Sequence, residues 1–299
     1  NDCFDLTDVQ QAYMLGREEV FQYGGVSCHL YMEIEYDSVL NLDKVRKTWD
    51  TLFKRHEMLR MYIGKNHKQI IAKYIPYDII QEYEVDENNV DNIREQYYQK
   101  NYDLKSAPLF DIGIINMKCK SILFLSFDLM IADWRSIWRL IFEFEQIYFH
   151  NNTLEEINMK FKDHVLSSSM MKKSFKYFRD KEYWINKIPN LQDAPQLPVN
   201  LNSNTEKLGF THYSFSLNNK VWHKIVAIAK SRGVTTTTVL LSVYSLILRK
   251  WSNNKDFTLN LTMLNREYSK YDIDKVVGDF TGITLLDCKD DYGLTFFNY

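Results

Sequence analysis

The stretch Phe127-Asp128-Leu129-Met130-Ile131-Ala132-Asp133-Trp134-Arg135-Ser136 joins an apolar run to two acids and a serine. Residues 121–127, which lead into it, are mostly apolar, a pattern typical of a strand buried on both faces. A strand this deep should not end in a carboxylate unless the acid has a partner or a chemical task, because an unpaired buried charge is costly. The stretch therefore predicts a central strand with a site at its end.

Helical and strand patterns alternate on both sides of this stretch. Thr7 and Gln10 fit a capping box that opens a helix, and Ile137, Leu140 and Phe144 recur at helical spacing after Asp133. The predicted helices are 8–15, around 42–53, around 91–100, one after 133, 170–187, 218–231 and 236–250, and the predicted strands are 29–36, 109–116, 121–127, 211–217 and 257–264. This order indicates an α/β fold of two related lobes.

Length and composition fit this fold class. A chain of 299 residues exceeds the usual size of one core, and three prolines among polar residues mark a linker at 189–207. We therefore expect an N-terminal lobe over 1–188 and a C-terminal lobe over 208–299. The net charge of -2 gives no electrostatic reason to expect nucleic acid binding.

The termini and the cysteines favour a cytoplasmic protein. The chain has no apolar run of membrane-spanning length and no signal-peptide pattern at its start. Its four cysteines are scattered without metal-ligand spacing, so reduced thiols and no metal site are expected.

Further motifs follow one another in order around the acidic stretch. They are Phe4-Asp5-Leu6-Thr7 with Gln10-Gln11-Ala12-Tyr13 and Gly16-Arg17, then Arg55-His56-Glu57-Met58-Leu59-Arg60, Ala194-Pro195-Gln196-Leu197-Pro198, Thr235 to Ser252, Asn265-Arg266, and Gly278-Asp279-Phe280-Thr281. Together with Asp128, Asp133 and Ser136, this series resembles the heterocyclization domains of nonribosomal peptide synthetases, which are variants of condensation domains. Asp5 and Thr236 stand where that family usually has proline.

The resemblance implies a definite fold and definite partners. It implies two lobes like chloramphenicol acetyltransferase in a V-shaped arrangement with a tunnel between them. The second lobe is expected to be incomplete, because family members continue past Tyr299 with a strand-rich segment. No cofactor is expected to bind directly; upstream and downstream carrier domains would deliver phosphopantetheine arms, and an adenylation domain is a further expected neighbour.

The implied activity is that of an acyltransferase with cyclodehydratase activity. The amine of a carrier-bound Cys, Ser or Thr would attack an upstream acyl thioester, and its side chain would then close a thiazoline or oxazoline with loss of water. The sequence leaves two alternatives open, an ordinary condensation domain that forms only the amide and an inactive truncated fragment. It does not indicate which amino acid is cyclized or what the final product is.

The chemistry also defines candidate site residues. One carboxyl group could move both protons of such a reaction if burial raised its pKa from about 4 toward neutrality, and Asp128 is the acid best placed for this. The resemblance aligns Asp128 with the first histidine of ordinary condensation domains, so Asp128 is either a catalyst or a scaffold residue. It aligns Leu129 with the second, usually catalytic, histidine.

Other candidates have structural interpretations beside the catalytic ones. Asp133 is expected to cap the following helix, with Ser136 near the third position, and to pair with Arg266 as the resemblance implies. Ser136 fits hydrogen bonding better than nucleophilic attack, and His56 fits a helix end. The remaining candidates for substrate contact or structure are Tyr13, Gly16, Arg17, Asn265, Arg266, Asp279 and Thr281.

Overall fold

The computed structural model describes residues 3–18, 25–75, 79–83, 90–198, 213–266 and 273–289. The helices are α1 Asp8–Leu15, α2 Leu42–Arg55, α3 Val90–Tyr98, α4 Trp134–Tyr148, α5 Phe161–Met171, α6 Phe175–Lys187, α7 Asn219–Ser231 and α8 Thr236–Trp251. The strands are β1 Cys3–Phe4, β2 His29–Tyr36, β3 Met61–Ile63, β4 Gln69–Ile71, β5 Ile80–Tyr83, β6 Phe110–Asn116, β7 Ser121–Asp128, β8 Phe257–Leu264 and β9 Thr281–Cys288. The α/β class predicted from the sequence is confirmed.

The chain divides into two compact units. The first combines Asn1–Ser174 with Met263–Gly282, and the second combines Phe175–Thr262 with Ile283–Tyr299. This division differs from the predicted lobes 1–188 and 208–299, because α6 belongs to the second unit and 263–282 belong to the first.

A four-stranded sheet forms the centre of the first unit. Its strand order is β2-β7-β6-β5, with β7 antiparallel to both of its neighbours and β5 parallel to β6. The register places Asp128, the last residue of β7, opposite His29 of β2. The site at the end of the central strand is thus fixed to the start of β2.

Both faces of β7 are covered, as the sequence predicted. All eight of its residues are buried. Leu125 and Phe127 belong to the main core, where the rings of Trp49 on α2 and Phe144 on α4 stack with centroids 5.5 Å apart. Phe124 faces a smaller cluster with α3 on the opposite side.

The second unit has a small core of its own. Leu248 of α8 packs with Phe257 of β8 and Cys288 of β9, and these two strands pair with each other. The proline-containing segment before 199 is tied to this unit, because the Gln196 N–H donates to Ser252 Oγ at 2.8 Å.

Two predicted elements differ from the structure. The helix predicted over 170–187 is divided into α5 and α6 by residues 172–174. The strand predicted over 211–217 is wrong for residues 213–217, which form no strand. Residues 211–212 lie outside the described residues. An extended segment needs a neighbouring strand for its backbone groups, and no described strand pairs with 213–217.

Within the described residues, no helix is long and apolar enough to cross a membrane. The same residues contain no group of His, Cys, Asp and Glu that could hold a metal ion.

Candidate active site

Asp133 caps the start of α4 and pairs with a buried arginine. Its Oδ1 accepts the Ser136 N–H at 2.7 Å, which is the predicted helix cap. Arg266 Nη2 lies 2.9 and 3.0 Å from the two carboxylate oxygens of Asp133, and both side chains are buried. The cap and the ion pair expected from the sequence are therefore both present in the structure.

The loop at Gly278 is fastened to the start of α4. The Asp133 N–H donates to the Gly278 carbonyl at 3.0 Å, and Ser136 Oγ donates to the same carbonyl at 2.9 Å. Ser136 Oγ also accepts from Arg266 Nη2 at 2.8 Å and from the Gly278 N–H at 3.1 Å. With its proton donated and two donors accepted, this hydroxyl is a structural hydrogen-bonding group, as the sequence favoured.

Gly278 is required here for close approach. A Cβ at this position would lie 2.2 Å from Cδ2 of the buried Phe161 ring, well inside van der Waals contact. The backbone can therefore reach Asp133 and Ser136 only because residue 278 has no side chain.

Arg266 also donates to the loop that follows it. Its Nη1 donates to the carbonyls of Ile273 and Val276 at 2.8 and 3.0 Å, and its guanidinium lies 4.0 Å from the Phe280 ring centroid. Burial lowers the pKa of Arg266, and the charge of Asp133 opposes this change. Arg266 therefore links three separate segments of the first unit.

Asp128 also has a cationic partner, in Arg17. The Arg17 guanidinium donates to Asp128 Oδ2, Ser27 Oγ donates to the same oxygen at 3.1 Å, and the Met130 N–H donates to Oδ1 at 2.9 Å. These three donors hold the Asp128 carboxyl in place, which supports the scaffold interpretation. A catalytic role for Asp128 stays a prediction.

Asp279 is a buried aspartate for which the described residues provide no such cationic partner. Its residue is 0% exposed and its Oδ1 accepts the Thr281 N–H at 3.1 Å, while its Oδ2 has no hydrogen-bond partner within the described part of the chain. Burial raises the pKa of Asp279 to about 7, although hydrogen bonds from Thr281 oppose the rise. This carboxyl can change its protonation state near neutral pH.

Tyr13 and Cys28 stand near this carboxyl and are only partly buried. Burial and the charge of Asp279 raise the pKa of Tyr13, and a hydrogen bond with Thr281 opposes this. Burial, and then the charges of Asp128 and Asp279, raise the pKa of the Cys28 thiol. Cys28 thus lies within electrostatic reach of both carboxyl groups.

The other predicted site residues lie at the ends of helices and strands. Gly16 caps the end of α1, where its N–H donates to the Ala12 carbonyl at 2.9 Å. The Asn265 N–H donates to the Phe280 carbonyl at 2.8 Å, which places Asn265 beside the loop of Asp279. His56 ends α2, and its Nε2 lies 2.7 Å from Glu143 Oε2.

Sequence reasoning missed Ser27 and Cys28. They precede β2, which pairs with β7, and the Cys28 carbonyl accepts the Leu129 N–H at 2.9 Å. Knowing that β2 pairs antiparallel with β7 would have identified Ser27 and Cys28 as neighbours of Asp128. The sequence does not reveal this pairing, because the two strands are far apart in the chain.

Comparisons with known proteins define the family. The condensation-domain family model matches residues 2–296. Bacitracin synthase 1 of Bacillus licheniformis is 32% identical over 307 residues, which cover 99% of this chain and 6% of that protein. Phenyloxazoline synthase MbtB of a Mycobacterium species (strain MCS) is 27% identical over 292 residues, covering 95% of this chain and 24% of that protein.

A solved structure gives the same assignment. The cyclization-docking bidomain of the synthetase EpoB from Sorangium cellulosum matches with a TM-score of 0.88 and 27% identity, over 99% of this chain and 61% of that one. The chain belongs to the condensation-domain family of nonribosomal peptide synthetases. It spans only a small part of its curated relatives, and its similarity to a cyclization domain agrees with the resemblance found in its motifs.

Proposed function

We propose that this domain joins a carrier-bound acyl thioester to carrier-bound Cys, Ser or Thr and then cyclizes the amide to a thiazoline or oxazoline. The observation that carries the proposal is the presence of two aspartates, with no described histidine bonded to them, at and just beyond the buried end of β7. Asp128 and Asp133 are these aspartates, and within the described residues no histidine is hydrogen bonded to either carboxylate or to Ser136. The similarity to a protein named for its phenyloxazoline product and to a cyclization domain supports the same reaction.

The two ion pairs would serve this reaction by holding the backbone segments around the site in place. Arg17 joins the end of α1 to the end of β7, and Arg266 joins 263–282 to the start of α4. In this proposal Asp128 and Asp133 hold the geometry of the site through these contacts.

Carrier domains are the partners that this reaction requires. We propose that two carrier domains deliver the acyl donor and the amino acid on phosphopantetheine arms, and that the domain itself binds no cofactor. This agrees with the family, whose members work with carrier-bound substrates.

The proposal is tested on the synthetase protein that contains this domain. The protein is incubated with an acyl-loaded upstream carrier and, separately, with carriers loaded with Cys, Ser or Thr. Mass spectrometry of the products is expected to show one carrier-bound product lighter than the amide by one water. Carrier-bound alanine is the matched control, because it can form the amide but has no side-chain nucleophile to close the ring.

The products also separate the alternatives. A reaction with Cys, Ser and Thr that stops at the amide in every case would contradict heterocyclization and identify an ordinary condensation domain. The absence of both products, with correctly loaded carriers and folded protein, would contradict both activities.

A further inference from the structure

Gln10 is a fully buried glutamine whose carboxamide makes the four hydrogen bonds of which it is capable. Its Nε2 donates to the Met130 carbonyl at 2.7 Å and to Gln69 Oε1 at 3.1 Å. Its Oε1 accepts the Thr7 N–H at 2.9 Å and Gln69 Nε2 at 3.0 Å. Because the Met130 carbonyl can only accept and the Thr7 N–H can only donate, the carboxamide has one possible orientation.

The contact with Met130 is made inside the turn that joins β7 to α4. The Met130 N–H donates to Asp128 Oδ1 at 2.9 Å, and the Ile131 N–H donates to the Asp128 carbonyl at 3.1 Å. Met130 is therefore held by Asp128 at its N–H and by Gln10 at its carbonyl. A shift of Met130 would move a donor of the Asp128 carboxylate.

Gln10 takes its own position from elements outside that turn. Gln69 lies at the start of β4, which pairs with β1 and β3, and its Nε2 also donates to the Asp5 carbonyl at 2.7 Å. The Gln10 N–H donates to Thr7 Oγ1 at 3.1 Å in the capping box of α1. The carboxamide therefore connects the three-stranded sheet and the start of α1 to the turn after β7.

Water cannot take the place of this carboxamide. Gln10, Gln69 and Met130 are all 0% exposed, and residues 131–132 beside Met130 are buried as well. A buried carbonyl that loses its donor favours any displacement that brings it to another donor. Loss of the Gln10 amide is therefore expected to displace the Met130 peptide, and with it the Asp128 carboxylate.

We propose that Gln10 is a positioning residue for the reaction at this site and acts through the Met130 peptide on the Asp128 carboxylate. The inference rests on the function proposed above, since it concerns how the site of that reaction is held. Gln10 is fully buried, so it orients other groups and does not contact carriers or substrates. Its loss should therefore lower kcat and leave KM for the loaded carriers unchanged.

The decisive comparison is between Gln10→Met and Gln69→Met in the synthetase protein that contains this domain. Both variants remove the bonds between the two glutamines, and methionine fills the space without a polar amide. Only Gln10→Met removes the donor to Met130. Because a misplacement of about 1 Å can slow a reaction about 100-fold, Gln10→Met should lower kcat for amide formation about 10- to 100-fold. Gln69→Met should keep the wild-type kcat.

Gln69→Met is a demanding control, because it removes three hydrogen bonds, two with Gln10 and one with the Asp5 carbonyl. Urea unfolding would measure how far each variant is destabilised. Gln11→Met is the surface control, since Gln11 is exposed and its Nε2 donates to the Leu6 carbonyl at a long 3.4 Å. This variant should match the wild type in kcat, KM and stability.

A second measurement does not depend on the reaction. Hydrogen exchange at the Met130 N–H, followed by NMR with labelled methionine, reports its bond to Asp128 Oδ1. Protection should be lost in Gln10→Met and kept in Gln69→Met and Gln11→Met. Unchanged protection in folded Gln10→Met overturns the proposal, whether or not product is formed.

The kinetic outcomes separate this inference from the proposed function. If the wild type forms only the amide, heterocyclization is contradicted, and kcat for amide formation still tests Gln10. If Gln10→Met keeps the wild-type kcat, or Gln69→Met loses as much, Gln10 has no positioning role. If Gln10→Met does not fold, Gln10→Asn replaces it, because its amide is one methylene shorter and falls short of Met130. Unchanged kcat in that variant overturns the proposal.

Discussion

Asp128, Asp133 and Asp279 are all buried in the first unit, but they differ in the charges around them. Asp128 pairs with Arg17 and Asp133 pairs with Arg266, whereas the described residues provide no ion pair for Asp279. Because a buried carboxylate is stable only with compensating donors, burial favours the protonated form of Asp279 and raises its pKa to about 7. Three identical side chains thus have different surroundings in one region.

We predict that Asp133→Asn destabilises the first unit. The amide can still cap α4, but it leaves the Arg266 guanidinium buried without a counter-charge. Removing one member of a buried pair typically costs about 3–5 kcal/mol, and the free energy of unfolding in urea would measure the loss. A second substitution, Arg266→Met, should recover part of it, because the unpaired charge is then removed as well.

Asp274→Asn is the control for that experiment, since its exposed pair with Arg135 should contribute at most about 1 kcal/mol. If Asp133→Asn is as stable as the wild type and yet forms no product, Asp133 acts directly on the substrate and its structural assignment is wrong.

The sequence could predict the Asp133 cap because Ser136 is three residues away, within one helical turn. It could propose Arg266 as a partner only through the family resemblance, because 133 residues separate the two. The isolation of Asp279 could not be predicted, since it depends on how Phe161, Phe280 and Arg266 pack around the loop.

At the level of whole elements, α4 is fixed at two points. Its first residues bind the Gly278 loop, and further along the helix Glu143 binds the end of α2. Glu143 Oε2 accepts from Arg55 Nε at 3.0 Å and lies 2.7 Å from His56 Nε2, while Oε1 accepts from Arg139 Nε at 2.7 Å. The two helices are therefore joined by a buried polar cluster in addition to their apolar faces.

We predict that Glu143→Gln weakens this joint by about 3 kcal/mol, because Arg55 and Arg139 lose their buried counter-charge. Burial alone would raise the pKa of Glu143, but His56, Arg55 and Arg139 outweigh it and lower the pKa to about 2. The folded-state pKa is depressed, so the stabilisation is present above pH 4.5 and is lost as the pH falls from 4.5 toward 2. Urea unfolding across this range would measure it.

Glu145→Gln tests whether the effect is specific to the cluster. This residue is on the same helix and accepts a single long hydrogen bond from Tyr36 at 3.3 Å. If Glu145→Gln loses as much stability as Glu143→Gln, the loss comes from replacing a glutamate anywhere on this part of α4. The contact of Glu143 with α2 would then not be its cause.

Predictions of elements succeeded where the pattern is local. The buried run of β7 and the apolar face of α4 require only neighbouring residues to recognise. The helix predicted over 170–187 failed because 172–174 include no proline or glycine to mark the break. The strand predicted at 213–217 failed because alternation of side chains cannot reveal whether a pairing strand is present.

Over the whole first unit, two buried groups should give opposite dependences of stability on pH. Burial raises the pKa of Asp279 from 3.8 to about 7, so its stabilisation is present below pH 3.8 and is lost as the pH rises through 7. Burial and the charge of Arg266 lower the pKa of His164 from 6.5 to about 4, so its stabilisation is present above 6.5 and is lost as the pH falls. Between pH 4 and 6.5 the two effects oppose each other.

We predict that single substitutions separate these two dependences. Relative to the wild type, Asp279→Asn should gain stability with rising pH between 4 and 6.5, by about 1.4 kcal/mol per pH unit. His164→Gln should lose stability at a similar rate over the same range. Urea unfolding at several pH values would measure both slopes.

His150→Gln, at an exposed histidine, is the control and should follow the wild-type curve. Parallel curves for Asp279→Asn and the wild type would mean that Asp279 titrates in the folded protein as it does in the unfolded chain, which would contradict the raised pKa.

The division of the chain has a consequence for its synthesis on the ribosome. Asp133 leaves the exit tunnel 133 residues before Arg266, so its counter-charge does not yet exist when β7 and α4 have been translated. At about 5–20 residues per second this interval lasts roughly 7–27 s. During that time the nascent first unit has no Gly278 loop to close over Asp133, and its carboxylate must stay hydrated. Completion of the site is therefore timed by the translation of 263–282, after the whole of the second unit's first segment has been translated.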